Sequence, residues 1–485
     1  MIRLTMRPRH HRRWIAAVFS AGLAGCATVG PDYERPPIEA TATDWIDRES
    51  VPVAEAEFIA WWRNLGDPVL TRLVEASLQD NLTIRQALLR VEEARARRAQ
   101  IRASALPSVG ADASVTALQQ SLNANPGFAQ IPGFQRELEI YDVGGSLAWQ
   151  IDLWGQTRRA LEAGDARIEG AIAAANGARL AVAIETASTY LALIGYQSER
   201  GALLASIAAQ RELLALSNIQ LREGEISRAD LLLVESELAR IEAELPRLDV
   251  EIRAAALALG PLIGGLPERE IALATEDRNE VALLDVPVGL RADLLRRRPD
   301  IARAERELAA ETAEIGVARA ELFPQLRLNA AGGFSSIALD TLFDGDSTSY
   351  SIVPFLSWRV FEGGRIRAEI DLAQLEARRA ALAYEQSILT ALEETETAIA
   401  RYDLGREALA LSERAATLSA ENYRLARIQF QYGAIDQLRL QEAERGLRNA
   451  ERGRAIAYRQ ASLAMAGLYA ALGGGWQAAP SGDPS

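Results

Sequence analysis

Residues 147–158 read LAWQIDLWGQTR and residues 356–367 read LSWRVFEGGRIR, so one kind of segment occurs twice at an offset of 209. That offset continues without an insertion through the long stretch that follows each segment. An earlier block, residues 81–107, aligns with residues 298–324 at an offset of 217. Solenoid repeats have periods of about 20–50 residues, which are much shorter. The sequence therefore predicts a duplicated half-molecule whose two halves do the same structural job.

Each quoted segment closes a pair of stretches in which apolar residues alternate with small or polar ones. The alternation covers residues 108–119 and 142–153 in the first half, and 325–337 and 350–360 in the second. A period of two indicates β-strands with one apolar face. Strands of about 11 residues suit a lipid bilayer, although a soluble hairpin that packs its apolar side on a helix would show the same alternation.

The number of strands bears on assembly. Four strands cannot close a membrane barrel, because the smallest barrels have about eight, and lipid does not tolerate an open sheet edge. If these strands lie in a membrane, the chain must oligomerise, and three copies would supply a closed set of twelve strands. Aromatic residues near the strand ends would then form an interfacial girdle: Trp149, Trp154, Trp358 and Phe361.

Two long helices are predicted after the quoted segments, over residues 156–222 and 365–431, which are rich in Ala, Leu, Arg and Glu and lack proline. About 67 helical residues extend on the order of 100 Å, and such a helix needs a coiled partner. Glycines at 224 and 433 predict the turns that end them. Helices then return over about 228–262, with a kink at Pro246, and over 436–472. The pattern predicts a tube that is mainly α-helical with a membrane β-barrel part.

The first 26 residues predict export. Five arginines precede a short apolar run, which is too short to span a bilayer and is typical of a secretory signal. The run closes on Leu-Ala-Gly-Cys, which resembles a bacterial lipobox, so we expect cleavage before Cys26 and lipid on its thiol. The alternative is an ordinary signal peptide with a coincidental cysteine. No later run reaches about 18 apolar residues, so no transmembrane helix is predicted.

Composition excludes several function classes. Removal of residues 1–25 takes away five arginines and no acid, which leaves 48 basic and 66 acidic residues and a net charge of −18. Both histidines leave as well, and Cys26 is the only cysteine. These absences argue against Ser-His-Asp or Cys-His catalysis and against His/Cys metal sites. We therefore expect no enzyme, no catalytic residue, no metal and no cofactor, and the acidity argues against nucleic acid.

The chain divides along these boundaries. The predicted segments are a signal peptide (1–25), a lipid-anchored irregular lead (26–66), a first half-repeat (67–264), an inter-repeat linker (265–290), a second half-repeat (291–475) and a disordered tail (476–485).

Three motifs carry a resemblance to a known family. They are residues 29–36 (VGPDYERP), residues 62–68 (WRNLGDP) and residues 289–301 (GLRADLLRRRPDI). With them the chain, over about residues 29–475, resembles the outer membrane factors (TolC/OprM-like) and, within them, NodT-type lipoproteins of RND efflux systems. The resemblance implies a homotrimer with a 12-stranded β-barrel in outer-membrane lipid, on a 12-helix periplasmic α-barrel with an equatorial belt.

The resemblance also implies a function and partners. The trimer would be a passive exit duct for small molecules in a tripartite efflux system, anchored in the outer membrane and extending into the periplasm. An inner-membrane RND-type pump would drive it through a periplasmic membrane-fusion adaptor. Two alternatives stay open: an outer-membrane duct for type I protein secretion, and a non-conducting coiled-coil lipoprotein that tethers the envelope. The tether predicts helices alone.

The same resemblance implies site residues at the two glycine turns. Adaptor contacts would be Leu221, Arg222, Gly224 and Ser227 in the first turn, and Phe430, Tyr432, Gly433 and Asp436 in the second. The periplasmic gate would involve Arg439 and Glu442, where Arg439 replaces an aspartate common in relatives. Contacts of Arg439 with Glu442 or Asp436 of a neighbouring chain would hold the gate partly shut. The alternatives are plain helix capping at the turns and a solvated charged helix face at the gate.

Overall fold

A computed structural model describes residues 28–36, 44–46, 48–49, 52–53, 58–121, 123–124, 127, 132, 134–276 and 278–477. The predicted signal peptide, Cys26 and residues 478–485 of the predicted tail lie outside the described residues. The helices are α1 (Pro68–Asp80), α2 (Leu82–Ser104), α3 (Gln156–Glu223), α4 (Arg228–Glu242), α5 (Leu245–Leu262), α6 (Leu294–Arg297), α7 (Pro299–Ala320), α8 (Arg365–Gln431) and α9 (Gln437–Ala471). The strands are β1 (Ser108–Gln119), β2 (Glu137–Ile151), β3 (Gln325–Ser336) and β4 (Thr348–Ser357). Short 3-10 helices cover Trp61–Leu65, Pro267–Ala274, Arg291–Asp293, Leu339–Thr341 and Gly345–Ser347.

The element order confirms the duplication. Each half has a helix, two strands, one very long helix and a returning helical segment, and α3 and α8 begin at positions that differ by the predicted 209 residues. The structure is mainly helical with four antiparallel strands, as predicted. The tether alternative, which predicts helices alone, is contradicted by the strands.

Two helical stretches are each interrupted. The stretch from 68 to 104, which has apolar residues at helical spacing, breaks at Asn81, whose side-chain oxygen accepts from the backbone N–H of Thr83 (2.8 Å) and whose amide donates to the carbonyl of Leu262 (2.9 Å). The predicted kink at Pro246 is a break between α4 and α5. Pro246 lies in the first turn of α5, where a residue without an N–H loses no helical hydrogen bond.

The chain divides into two compact units. The first comprises the described parts of Met1–Arg35, Glu92–Glu169 and Glu305–Leu382, and the second those of Pro36–Val91, Gly170–Ala304 and Ala383–Ser485. Alanines dominate the helix contacts of the first unit, which lets helices approach closely. The contacts are Ala163 and Ala166 with Ala309, Ala310 and Ala313, and Ala373 and Ala377 with Ile315.

The first unit contains one four-stranded antiparallel sheet in the order β1-β2-β3-β4. Val109 lies opposite Leu147, which lies opposite Ala330, which lies opposite Ile352. Because side chains alternate between faces along a strand, these residues mark one apolar face. The other face is mostly small and polar, with Asp112, Ser114, Asp142, Ser146, Asn329 and Ser335, although Ile140, Val353 and Phe355 also lie on it.

The apolar face of this sheet is largely exposed, apart from a ring contact of Phe343 with Phe334 at one end. Val109 is 77% exposed and Ile352 is 67% exposed. In the described part of the chain, the sheet therefore does not pack its apolar face on a helix, as the soluble-hairpin alternative requires. Within the single chain β1 and β4 are the two edge strands.

The second unit contains the largest buried side chains. Leu203 and Ile207 of α3 pack against Leu238, Ile241 and Leu248 of α4 and α5. We call residues 58–66 and 278–290 the belt segments. They cover one face of α9, where Trp61 stacks on Tyr469 (4.4 Å between ring centroids), Tyr458 bonds the backbone of Val281 (2.7 Å), and the sulfur of Met465 accepts from the N–H of Leu284 (3.5 Å).

Helix α3 bears on the expectation that no transmembrane helix follows the signal peptide. An 18-residue window in it has a mean hydropathy of 1.2, so α3 is long and apolar enough to cross a membrane by length and composition alone. Inside the protein 44% of that window is buried. Alanine, which is frequent between residues 171 and 192, raises mean hydropathy without a continuous run of large apolar residues. A buried core helix satisfies the same measure, so the window is weak support for a span.

Candidate functional site

The first predicted adaptor turn is a capped helix reversal. Gly224 (φ +79°) follows the end of α3, and its N–H donates to the carbonyl of Leu221 (3.1 Å). Ser227 begins α4 by a reciprocal cap, in which its N–H donates to the Asp230 carboxylate (2.9 Å) and its hydroxyl accepts from the N–H of Asp230 (3.2 Å). Bonds from the hydroxyl and N–H of Ser227 lower the pKa of Asp230. Arg222 is exposed at the tip.

The second turn has the same backbone and a different surface. Gly433 (φ +68°) donates its N–H to the carbonyl of Phe430 (2.9 Å), as Gly224 does in the first half. Tyr432 is 85% exposed. Asp436 caps α9 by accepting from the N–H of Arg439 (2.9 Å). Both turns are therefore true helix caps, and both expose residues that capping does not require.

The two turns cap their returning helices with carboxylates from different positions. At the 209-residue offset, Ser227 corresponds to Asp436 and Asp230 corresponds to Arg439. The carboxylate that caps the first returning helix comes from its third residue, whereas the one that caps the second comes from the residue before it. A carboxylate is favourable in either place because it accepts from free N–H groups at a helix start.

The structure links the turns within one chain. Near the tips, Gln220 of α3 donates to the side-chain oxygen of Gln437 of α9. Further along the same two helices, the guanidinium of Arg459 lies 4.5 Å from the ring centre of Tyr196 and 3.8 Å from the buried Glu199 carboxylate. Polar contacts thus join α3 of the first half to α9 of the second. These contacts could not be predicted from the sequence, because nothing in the local pattern pairs the two helices.

The two predicted gate residues are neighbours on α9. Arg439 donates to Glu442 (3.2 Å), three residues along the same helix, and both side chains are exposed. Asp436 is bonded to the backbone of Arg439. The predicted contacts between neighbouring chains stay a prediction, since a single chain is described.

The predicted girdle residues lie where strands and helices meet. Carbonyls just past a helix end lack helical partners. The indole N–H groups of the three predicted tryptophans donate to such carbonyls, which follow α2 or α7. The pairs are Trp149 to Ala105 (2.9 Å), Trp154 to Pro324 (2.7 Å) and Trp358 to Leu322 (2.9 Å). Phe361 follows β4 and is exposed.

Sequence reasoning did not predict how the lead attaches. Arg159, whose side chain is 4% exposed, donates to the carbonyls of Val29 (3.1 Å) and Gly30 (3.3 Å) and to Asp32 (2.7 Å). The N–H of Val29 donates to the carbonyl of Trp154 (3.2 Å). The lead three residues after Cys26 is therefore fixed beside a predicted girdle residue.

A second anchor of the lead is the buried carboxylate of Glu305. It accepts from the hydroxyl of Tyr33 (2.9 Å) and from Arg35 (3.0 Å), and it also pairs with Arg306. Burial alone would raise the pKa of Glu305, but these hydrogen bonds outweigh burial and hold that pKa below its usual range. In the sequence, only the motif VGPDY, which contains Tyr33, could have indicated this attachment of the lead.

Among the described residues, no group of three or more His, Cys, Asp or Glu side chains could hold a metal ion. The arrangement described above offers caps, exposed turn residues and a two-faced sheet. Such features can bind partners and form walls.

Comparisons with known proteins agree with one another. A family model described as "Outer membrane efflux protein" matches residues 73–265 and 290–474. Nodulation protein T of Rhizobium leguminosarum bv. trifolii is 30% identical, covering 96% of this chain and 97% of its own length. The toluene efflux pump outer membrane protein TtgI of Pseudomonas putida is 30% identical, covering 94% and 96%. The solved outer-membrane channel OprN is 33% identical with a TM-score of 0.82, covering 93% and 100%.

Proposed function

This chain belongs to the outer membrane efflux protein family, and from that premise we propose that it is the exit duct of a tripartite efflux system. It lies in the outer membrane. Three copies form a passive channel for small molecules. An inner-membrane pump of RND type supplies the energy, and a periplasmic adaptor connects the two. The relatives are channels, and no covalent step is assigned to this chain.

One observation carries the proposal: the sheet has two chemically different faces and two free edges. Its apolar face is largely exposed, its opposite face is mostly small and polar, and β1 and β4 have no further strand within the described chain. Lipid accepts the first face and a water-filled lumen the second. Free edges must pair before the sheet can enter lipid. Three copies joined edge to edge give a closed barrel of twelve strands.

The helices of the second unit support the same assembly. By their contacts they follow the order α4/α5, α3, α9, α8. The outer flank of α8 carries exposed leucines at a spacing of seven residues, with exposures between 45% and 64%: Leu404, Leu411, Leu418 and Leu425. The outer flank of α4/α5 carries small exposed residues at the same spacing: Ala229, Ser236 and Ala243, followed by Val250.

These two flanks complement each other. A seven-residue apolar repeat is the pattern by which helices coil together, and large side chains on one flank fit beside small ones on the other. A surface that binds a different surface of the next copy closes into a ring. Three copies joined α8 to α4/α5 would give a wall of twelve helical segments.

The turns are the proposed adaptor contacts. Tyr432 and Phe430 in the second turn, and Leu221 and Arg222 in the first, surround the capped glycines. The exposed tyrosine is a residue type that is enriched at protein interfaces. Lipid on Cys26 is proposed as the anchor of the lead, and the mass of the N-terminal peptide of the purified protein tests it.

The function is tested by dye accumulation in a strain that lacks the gene. We expect accumulation of a fluorescent hydrophobic dye to rise on deletion and to fall when the gene is restored. Restoration with Tyr432→Ser should be partial, because adaptor contact is weakened, whereas the neighbouring Gln431→Ser should restore fully. Accumulation that does not change on deletion would reject small-molecule efflux and favour protein export, which the secreted proteome would then show.

A gate at Arg439 and Glu442 is the finer proposal. Three Glu442 and three Arg439 side chains in a narrow mouth would set its ion preference. We expect Glu442→Gln to change single-channel conductance or reduce cation selectivity. Glu451→Gln is the matched control, since Glu451 pairs with Arg448 at the same spacing on α9 (2.9 Å). Recordings of Glu442→Gln that match those of the unmodified channel would contradict the gate.

A further inference from the structure

A groove lies between α3 and α8 with α9 as its floor. Its volume is about 940 Å³. Glycines from all three helices open it: Gly177 of α3, Gly405 of α8 and Gly467 of α9. Glycine inside a helix costs about 1 kcal/mol relative to alanine. An added Cβ would lie 3.6 Å from Ala461 at Gly405 and 3.7 Å from Pro299 at Gly177, but it would meet nothing within 4 Å at Gly467, so open space is clearest at Gly467.

The lining of the groove is mostly apolar. Leu180 and Ile184 of α3 face Ala398 of α8 across Leu463 and Ala464 of α9. Small-molecule sites have volumes of about 300–1,000 Å³ and mainly apolar walls with a few polar groups. The groove matches that description.

Four charged residues line the groove, and two of them, Arg298 and Glu394, pair with each other, whereas Glu393 and Arg401 make no ion pair in the described chain. Arg298 bonds Glu394 (2.6 Å) and Asp300 (2.7 Å), and it also donates to the carbonyl of Ala471 (3.2 Å). These bonds satisfy the guanidinium without any occupant. The apolar walls therefore make up most of the groove, and Glu393 and Arg401 are its few available polar groups.

The groove and the belt segments lie on opposite faces of α9. Tyr458, Met465 and Tyr469 face the belt segments, whereas Leu463, Ala464 and Gly467 face the groove. In a ring of such chains a belt on the inside would obstruct the duct, so the belt lies outside. The groove then opens toward the lumen.

We propose that this groove is a binding site, on the inner wall of the duct, for apolar or amphipathic organic molecules of drug size. The proposal rests on the proposed function. It names the class of cargo: molecules with an apolar body that leave water readily for the groove wall.

The chain provides a clean way to test it. Cys26 is the only cysteine in the sequence, so an introduced cysteine is a unique reporter. The reporter in the groove is Ala464→Cys. The matched control is Gly453→Cys, which lies eleven residues earlier on α9, on nearly the same helix face and outside the groove, where an added Cβ meets nothing within 4 Å.

The experiment compares alkylation rates in outer-membrane fragments. The probes are apolar N-phenylmaleimide and the smaller N-ethylmaleimide, and protein without an introduced cysteine gives the background. We expect the phenyl-to-ethyl rate ratio to be about fivefold higher at Ala464→Cys than at Gly453→Cys, because burial of the ring concentrates the probe. Equal ratios at the two positions would overturn the proposal.

Two further variants make the test specific. Gly467→Leu fills the groove without a clash, since an added Cβ there also meets nothing within 4 Å. Ile184→Ser removes apolar wall from the facing helix. Each, combined with Ala464→Cys, should lower the ratio toward the control value, and a ratio that neither variant lowers would also overturn the proposal.

A separate measurement tests the proposed function. Dye accumulation is measured in the strain that carries Ala464→Cys. Normal efflux with equal alkylation ratios rejects the groove alone. A raised ratio that both variants lower, in a strain whose dye content does not depend on the gene, supports the site and rejects efflux as its purpose.

Discussion

Replacing Ile352 by arginine should abolish insertion into the outer membrane and, with it, transport. Ile352 lies near the middle of β4, on the apolar face, and is largely exposed in the single chain. An arginine on the lipid face at the bilayer midplane costs about 2–4 kcal/mol, and a trimer would carry three. The measurement is the amount of folded protein in the outer-membrane fraction, together with dye accumulation in the same cells.

The control for this prediction is the adjacent residue. Ser351→Arg places the same charge one position away, on the opposite face of β4, beside Ser349. We expect it to insert and transport normally. If both arginines were tolerated equally, the apolar face would not meet lipid. If both failed, the two faces would not differ in environment.

The double substitution Leu411→Glu and Leu418→Glu should leave the protein monomeric. Both leucines belong to the exposed seven-residue repeat on α8, which we place against α4/α5 of the next copy. Loss of a buried leucine costs about 2–5 kcal/mol, and burying a carboxylate without a partner adds to that cost. Light scattering of the purified protein measures the mass of the assembly directly.

A matched pair on the same helix provides the comparison. Ala410→Glu and Thr417→Glu have the same spacing and are also exposed. They lie about 100° around α8 from the leucines. This pair should remain trimeric. A leucine variant that stays trimeric would show that this flank does not join the copies.

The long helices could be predicted from sequence nearly residue by residue. Expected ranges of 156–222 and 365–431 compare with Gln156–Glu223 and Arg365–Gln431 in the structure. The agreement has a local cause, because a left-handed glycine ends each helix and neither helix contains proline. Signals of this kind depend on neighbouring residues alone and need no tertiary context.

Strand β2 shows where local patterns fail. It begins at Glu137, five residues before the predicted start. From Val143 onward the apolar residues are at odd positions, but in the first part of the strand Leu138 and Ile140 are at even positions. The alternation changes phase within one strand. A search for a single period of two therefore stops too early.

The candidate site was only partly accessible from sequence. The turns and their caps follow from glycine and from short acidic side chains nearby. Attachment of the lead through Arg159 and the groove on α9 depend on segments far apart in the chain. One arginine among many gives no sign that it is buried, and three separated glycines give no sign that they face one space.

The different positions of the capping carboxylates have a consequence for evolution after the duplication. Capping constrains where a carboxylate can be, but it leaves open which of two positions supplies it, so the two copies of the gene segment could drift apart without loss of the turn. The first turn now begins its helix with a hydroxyl and the second with an acid. A protein that docks at both meets two unlike surfaces in each chain. Such a partner would need two different binding faces or would prefer one half, because the two turns no longer present the same surface.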